Sequence, residues 1–186
     1  MTRIVAGTVG GRRIEVPRSG TRPTSERVRE ALFARLEHYG VLDGARVLDL
    51  CAGSGALGLE AASRGAGDVT LVDSSRAASE ICRRNIRALG LRGLRVVTAK
   101  AAAFLTGAAG APVDLVLIDP PYELAEEGLT AILSPLTRSE DPWLAPRAVV
   151  VVERSTRSPE PAWPQGLGRF ADKRYGETTL WFAEPL

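Results

Sequence analysis

Histidine and cysteine are scarce in this sequence of 186 residues. It has one histidine, His38, and two cysteines, Cys51 and Cys82, which lie far apart and form no CxxC pattern. Zinc sites and disulfide frameworks depend on clusters of these residues. The sequence therefore indicates neither a metal site nor a disulfide framework, makes a histidine base improbable, and favours two small buried thiols.

Long hydrophobic runs are also absent. No segment has the roughly 20 apolar residues of a membrane-spanning helix, and the opening MTRIVAGTVGG lacks the apolar core of a signal peptide. With 45% hydrophobic and 25% charged residues, the chain suits one globular domain, with at most a small appendage. We expect a cytoplasmic protein with no membrane partner, and a monomer as the default state.

Lysine is nearly missing, since 22 of the 24 basic residues are arginine. The net charge is only +2, but residues 1–35 hold eight arginines against three glutamates and carry +5, which leaves −3 for the remainder. Such a concentration of positive charge favours a polyanion such as nucleic acid. A solvated surface would show the same charge, so both interpretations stay open on charge alone.

The first forty residues predict a hairpin followed by a helix. Two short β-type runs flank Gly10 and Gly11, which is a hairpin signal, and we expect an arginine-bearing flap there. Thr24 or Ser25 is a candidate N-cap for the helix that follows. Its predicted apolar stripe leaves Arg27 and Arg29 outside and comprises Val28, Leu32, Leu36 and Tyr39.

From residue 45 onward, strands and helices alternate. The candidate strands are ARVLDL, DVTLVD, LRVVTA, DLVLID and AVVVVE, followed by GRFADKRY and TTLWFAEPL. Alternation at this spacing predicts an α/β fold with a mainly parallel sheet, which the last two runs close as an antiparallel pair.

A glycine loop follows the first of these strands. Gly53, Gly55 and Gly58 have GxGxxG spacing at the head of a predicted helix, and Asp73 ends the next strand. This combination is typical of adenosine-containing cofactors, because glycine lets the backbone approach the ligand and the acid holds ribose hydroxyls. NAD enzymes share it, but little chain remains for their substrate pocket. S-adenosylmethionine is favoured, with Asp49 placed to face its positively charged end.

The stretch DLVLIDPPYE ends a buried strand with an acid, two prolines and a tyrosine. Asp119 offers a carboxylate, Pro120 a fixed carbonyl and Tyr122 a flat face. Two acceptors beside an aromatic plate suit a planar ligand that carries an NH2 group. An ordinary exit from a strand into a loop would contain the same residue types, so this motif alone does not distinguish a ligand site from a loop.

Together, DLCAGSG, the acid of LVDSS and the DPPY corner resemble class I S-adenosylmethionine-dependent methyltransferases that act on exocyclic amino groups. RIVAGTVGGRRIEVP and RPTSERVREALFARL further resemble the N-terminal region of the RsmD family. The resemblance covers nearly the whole chain. It implies a Rossmann-like class I fold with a seven-stranded sheet, helices on both faces and an N-terminal β-hairpin. It divides the chain into an RNA-binding extension, residues 1–20, and a methyltransferase domain, residues 21–186.

By this resemblance, the protein methylates the N2 amine of a guanine, G966, in 16S ribosomal RNA, within an assembled 30S particle. The implied catalytic residues are Asp119, Pro120, Pro121 and Tyr122. The implied cofactor-binding residues are Asp49, Cys51, Ala52, Gly53, Gly55, Asp73, Ser74, Lys100, Ala101 and Asp119. The residues expected to contact RNA are Arg3, Arg12, Arg13, Arg18, Arg22, Arg27 and Arg29.

One segment departs from the pattern of related enzymes. Where they often hold an acid or amide near the adenine, this chain reads TAKAAAFL, so Lys100 and Ala101 would use backbone groups. Three alternatives stay open: the same chemistry on DNA or another RNA, a non-catalytic RNA-binding module, and an NAD enzyme. Protein-glutamine methyltransferases are less similar, because their corner begins with asparagine.

Overall fold

The computed structural model describes residues 1–18 and 24–186. An antiparallel hairpin comes first, with strands β1 (Thr2–Arg3) and β2 (Arg13–Ile14). The main sheet comprises β3 (Arg46–Leu50), β4 (Asp68–Asp73), β5 (Leu94–Thr98), β6 (Val113–Ile118), β7 (Leu144–Ser155), β8 (Leu167–Tyr175) and β9 (Thr178–Pro185). The helices are α1 (Glu26–Tyr39), α2 (Ala56–Ser63), α3 (Arg76–Leu89), α4 (Ala101–Leu105) and α5 (Glu126–Leu133), and a 3-10 turn spans Ser134–Thr137.

The seven strands of the main sheet lie in the order β5-β4-β3-β6-β7-β9-β8. Five of them are parallel neighbours, and β9 runs antiparallel to both β7 and β8. The Rossmann-like class I fold predicted from the sequence is therefore confirmed, including the antiparallel pair at the end of the chain.

Helices cover both faces of the sheet, because side chains alternate along each buried strand. On β3, Val47 packs in a cluster with Leu32 of α1 and Leu57 of α2. Leu48, the next residue, packs on the opposite face with Leu105 of α4 and Leu133 of α5. Within the described residues, no helix is long and apolar enough to cross a membrane.

The strand order reverses between β3 and β6. The chain moves outward from β3 through β4 to β5, and then returns to pair β6 on the other side of β3. In open parallel sheets, this reversal opens a crevice at the carboxyl ends of the strands, where ligands bind. The residues after β3 and β6, which begin at Cys51 and Asp119, therefore lie where a ligand site is expected.

The N-terminal hairpin is docked on the sheet domain. Ile4 and Ile14 are buried against Leu59 of α2 and Leu89 of α3. The Glu60 carboxylate accepts hydrogen bonds from the backbone N–H groups of Val5 at 2.9 Å and Ala6 at 3.0 Å. The predicted hairpin is present, and these contacts hold it against the sheet domain. The predicted domain boundary, between residues 20 and 21, lies outside the described residues.

Helix α1 starts as predicted, but its buried face is wider than expected. Ser25 is the N-cap, and its hydroxyl accepts a hydrogen bond from Val28 N. Arg29 is fully buried, and its Nη2 donates to Thr2 Oγ1 at 3.0 Å and to the Arg3 carbonyl at 2.7 Å. The prediction that Arg29 contacts RNA is therefore wrong, because its guanidinium fixes the hairpin and does not reach the surface.

We predict that Glu60→Ala destabilises the fold strongly. The change leaves two backbone donors of the hairpin and the nearly buried Arg64 guanidinium without their carboxylate. Breaking a buried ion pair by removing one partner costs about 3–5 kcal/mol. Chemical denaturation should show this loss. Glu37→Ala is the control, because Glu37 is a half-exposed partner of the same arginine and such pairs contribute up to about 1 kcal/mol. Equal losses for the two variants would contradict the prediction.

Candidate functional site

The loop between β3 and α2 turns through left-handed backbone conformations. Cys51, Gly53 and Gly55 have φ values of 62°, 58° and 84°. At Gly55 a side chain is also excluded by space, since a Cβ would lie 2.9 Å from Leu71 Cδ2. At Gly53 a Cβ would meet nothing within 4 Å, so the loop is open there. The loop thus presents its backbone to the crevice while its helix packs closely on the sheet.

Asp73 at the end of β4 fixes this loop. Its Oδ2 accepts a hydrogen bond from Gly53 N at 2.8 Å, and its Oδ1 accepts one from Ser75 N at 2.8 Å. The carboxylate is partly exposed, so each oxygen still has a lone pair for a hydroxyl donor. This geometry agrees with the position of a ribose-binding acid next to a glycine loop.

Asp49 is a buried carboxylate with one unpartnered oxygen. Its Oδ2 accepts a hydrogen bond from Gly58 N at 2.9 Å, and its Oδ1 has no partner among the described residues. Burial, together with the nearby Asp119 and Asp73, raises the pKa of Asp49 to about 8. An anion in this position would be stabilised by a cation, and the free oxygen is the feature of the site that best fits a positively charged ligand.

Asp119 follows β6 directly and is the first residue of the corner. Its Oδ2 lies 2.9 Å from the hydroxyl of Thr24, and burial raises its pKa to about 6. Pro120 is buried, whereas Pro121 and Tyr122 are exposed, with 53% of Tyr122 accessible. The corner therefore has a fixed acidic end and an aromatic end on the surface.

The sequence reasoning missed two residues of this site. The sequence predicts Thr24 only as a candidate helix cap and assigns no role to Glu153. The Thr24 hydroxyl lies 2.7 Å from Oε2 of Glu153, a buried residue near the carboxyl end of β7. Burial, followed by the charge of Asp119, raises the pKa of Glu153 to about 8. An acid at the end of the apolar run AVVVVE was the signal that could have identified Glu153.

Several of the predicted cofactor residues line one pocket, and others do not. The pocket lies between the end of the hairpin, the glycine loop and the corner. It is lined by Val16, Pro17, Thr24, Asp49, Cys51, Ala52, Gly53, Ser54, Ala56, Leu57 and Asp119. Five of the predicted cofactor residues are not part of this lining in the described chain: Gly55, Asp73, Ser74, Lys100 and Ala101. The cofactor-binding roles of all ten residues stay predictions.

Both cysteines are free thiols; Cys82 is buried as predicted, whereas Cys51 is only partly buried. Burial raises the pKa of Cys51 and of Cys82 to about 12. The thiol of Cys82 on α3 donates to the Gly53 carbonyl at 3.1 Å and so helps to fix the glycine loop. Cys51 lines the pocket and contributes its shape.

The predicted RNA-contacting arginines differ in their surroundings. Arg3 pairs with Glu26 at 2.8 Å, and Arg12 donates to the last carbonyls of α3, Leu89 O at 3.0 Å and Ala88 O. Arg13, Arg18 and Arg27 are exposed. Arg22 lies outside the described residues. Arg3 and Arg12 are exposed as well, so they add accessible positive charge to that of the other three.

Comparisons with known proteins match most of the chain to one family. The family model described as "Conserved hypothetical protein 95" matches residues 2–184. Ribosomal RNA small subunit methyltransferase D of Escherichia coli (strain K12) is 38% identical over 178 residues, which cover 94% of this chain and 85% of that protein. The protein of the same name from Haemophilus influenzae is 34% identical over 163 residues, which cover 84% of this chain and 80% of that protein.

A solved structure of similar architecture comes from Thermus thermophilus, where the protein is described as hypothetical. It superposes with a TM-score of 0.82 at 31% identity and covers 99% of both chains. The structure of TrmN from Thermus thermophilus superposes with a TM-score of 0.66 at 27% identity and covers 86% of this chain and 48% of the other.

We predict that Asp49→Asn stabilises the ligand-free protein at alkaline pH. Because the folded-state pKa of Asp49 is about 8 and an unfolded aspartate has a pKa of about 3.9, the wild type loses stability as pH rises between these values. Asparagine keeps an acceptor for Gly58 N but carries no charge. Unfolding at pH 5 and pH 9 should show an advantage at pH 9 larger by about 4 kcal/mol, the linkage between these two pKa values. Asp68→Asn, at the exposed start of β4, is the control. The same advantage at both pH values would contradict the prediction.

Proposed function

The chain belongs to the Conserved hypothetical protein 95 family, the RsmD family of methyltransferases, and from this premise we propose that it methylates a guanine N2 amine in 16S ribosomal RNA. The single observation that carries the proposal is the position of Asp119. Its carboxylate follows β6 at the reversal of strand order and shares a pocket with the glycine loop. The acceptor corner and the candidate cofactor loop therefore face one crevice.

S-adenosylmethionine is the proposed cofactor, and it supplies an electrophilic methyl group on a cationic sulfur. The unpartnered oxygen of buried Asp49, the exposed backbone at Gly53 and the carboxylate of Asp73 fit its cationic and ribose parts. Cys51 and Ala52 complete this wall of the pocket. We further propose that Ser74, Lys100 and Ala101 lie on the adenine side, where Lys100 and Ala101 would use backbone groups.

Asp119 and the Pro120 carbonyl are the proposed acceptors for the two hydrogens of the guanine amine. The lone pair of this amine is delocalised into the ring, so it is a poor nucleophile until its hydrogens are held in a fixed geometry. As positive charge grows on the nitrogen, its attraction to the Asp119 carboxylate increases. An interaction that strengthens in the transition state raises the rate, and Asp119 finally accepts the proton or passes it to water.

Tyr122 and the prolines position the base. Enzymes that modify a base generally take it out of its stack first. The exposed ring of Tyr122 is the proposed stacking surface, and base stacking on an aromatic ring contributes about 1–3 kcal/mol. Pro120 and Pro121 stiffen the backbone between the ring and Asp119, which fixes the distance between the stacking surface and the acceptors.

The N-terminal hairpin, residues 1–20, is the proposed RNA-binding extension of the methyltransferase domain, residues 21–186. The exposed cations of this extension include Arg3, Arg12, Arg13 and Arg18, and Arg27 is exposed in the first turn of α1. We propose that they contact phosphates of 16S ribosomal RNA, with Arg22 in the same role. A chain of 186 residues has little surface for reading a long RNA, which favours the assembled 30S particle as the substrate.

We predict that Asp119→Ala lowers methyl transfer by about 100- to 10,000-fold, the range that a positioned acid or base contributes. Nucleoside mass spectrometry of 30S particles incubated with S-adenosylmethionine should measure the loss of N2-methylguanosine. Asp114→Ala is the matched control, because Asp114 lies near the start of the same strand, at the end away from the corner, and accepts a hydrogen bond from Arg46 N. Turnover close to wild type in Asp119→Ala would contradict the role of Asp119.

We also predict that Arg13→Ala combined with Arg18→Ala weakens RNA binding and flattens its salt dependence. Each lost phosphate contact should reduce the slope of log K against log salt by about 1. Binding titrations from low to high salt with an RNA fragment of the small subunit measure this slope. Arg147→Ala, in the amino-terminal half of β7 and away from the strand ends that hold the site, is the control. An unchanged slope would assign the hairpin arginines to a solvated surface.

A further inference from the structure

One hydroxyl lies between two carboxyl groups at the candidate site, those of partly buried Asp119 and buried Glu153. Thr24 Oγ1 is 2.9 Å from Oδ2 of Asp119 and 2.7 Å from Oε2 of Glu153. Thr24 and Glu153 are 7% and 6% exposed. β6 and β7 pair in register at Ile118 and Val152, so Asp119 and Glu153 are the next residues on neighbouring strands. Thr24, which lies far from both in sequence, links them.

The two short contacts of Thr24 require that one of the two carboxyl groups, Asp119 or Glu153, is protonated. A hydroxyl has a single hydrogen and so donates one hydrogen bond, although it accepts two. If both carboxyl groups were ionised, one of the two short contacts would join two acceptors without a hydrogen. Both contacts become hydrogen bonds when one carboxyl group is protonated and donates to Thr24, which then donates to the other.

The environment assigns the proton to Glu153. β6 places Asp119 on one side of β7, while β9 places the apolar Leu180 opposite Glu153 on the other. The nearest basic side chain along β7, Arg154, is engaged elsewhere by Glu126 and the Leu124 carbonyl. Asp119 lines the pocket, whereas Glu153 does not. The pKa of Glu153, about 8, is above that of Asp119, about 6, in agreement with this assignment.

We infer that Thr24 and Glu153 are positioning residues for Asp119: neutral Glu153 donates to Thr24, and Thr24 donates to Oδ2 of Asp119. Oδ1 is then the oxygen left to accept from the substrate amine. The Glu153 proton stays in place throughout and does not pass to the substrate. This inference rests on the proposed function for its catalytic part, whereas the proton arrangement is a property of the protein alone.

Infrared spectroscopy of the protein without RNA or cofactor tests the proton arrangement directly. At pH 7 the wild type should show the C=O absorption of a buried protonated carboxylic acid, and Glu153→Gln should remove its Glu153 component. Asp49 is also buried with a raised pKa, so Asp49→Asn identifies its separate contribution. A spectrum that Glu153→Gln leaves unchanged would overturn the inference.

Two variants of Thr24 test its positioning role. Thr24→Val keeps the shape of threonine without the hydroxyl and should lower kcat by about 10- to 100-fold with little change in KM, as expected for a misplaced reacting group. Thr24→Ser restores the hydroxyl and should recover activity to within about 3-fold of wild type. Thermal unfolding of each variant separates this effect from a loss of fold. Wild-type kcat in Thr24→Val would overturn the inference.

The pH profile distinguishes Glu153 from a residue that only packs. When Glu153 ionises above about pH 8, Thr24 can donate to only one carboxylate and Asp119 gains a like-charged neighbour. The wild-type rate should therefore fall on the alkaline side. Glu153→Gln, whose amide donates at every pH, should be active and should lack this fall, while Glu153→Ala should be impaired at every pH. The same alkaline fall in Glu153→Gln would contradict the assignment.

The methylation assay and the infrared band together distinguish failure of the proposed function from failure of this inference. If the wild type gives no methylated product with RNA while the infrared band assigned to Glu153 is present, the proton arrangement stands and the methyltransferase assignment falls. If product forms but the band is missing, the assignment stands and the inference about Glu153 falls.

Discussion

Four acidic side chains lie close together at the carboxyl ends of adjacent strands. The hydrogen bonds that stabilise them also fix the loops at this end of the sheet. Asp49 and Glu153 lie near the carboxyl ends of β3 and β7, Asp73 ends β4, and Asp119 follows β6. An unpaired buried charge is very costly, so each carboxyl group needs fixed donors or a proton. Gly58 N in the first turn of α2 donates to Asp49, and Gly53 N in the glycine loop donates to Asp73. The Thr24 hydroxyl contacts both Asp119 and Glu153. The loop and the start of α1 are thus tied to the sheet by the same acids that equip the site for a cationic ligand.

The hairpin belongs to this arrangement as well. Its backbone N–H groups donate to Glu60 on α2, the helix that begins at the glycine loop. Its end contributes Val16 and Pro17 to the lining of the pocket. In the proposed function, the segment that meets RNA therefore forms one wall of the cofactor pocket, and its docking sets the distance between the phosphate-binding arginines and Asp119.

Much of the fold could be predicted from local pattern. The buried strands are short apolar runs bounded by acids, and the glycine loop and the DPPY corner are motifs within single turns of chain. What failed depended on distant contacts. Arg29 is buried because the hairpin covers a face of α1 that periodicity alone assigns to solvent. Thr24 meets Glu153 across 129 positions of sequence, a contact that no local pattern contains.

The most direct test of the account is to incubate the wild-type protein and S-adenosylmethionine with unmodified 30S particles, protein-free 16S ribosomal RNA and DNA, and to identify the products by nucleoside mass spectrometry. The account predicts N2-methylguanosine, formed chiefly with the particles. Methyladenine or methylcytosine, above all in DNA, would contradict the proposed substrate while keeping the chemistry of Asp119. No methylated product with any of the three would contradict the proposed activity itself.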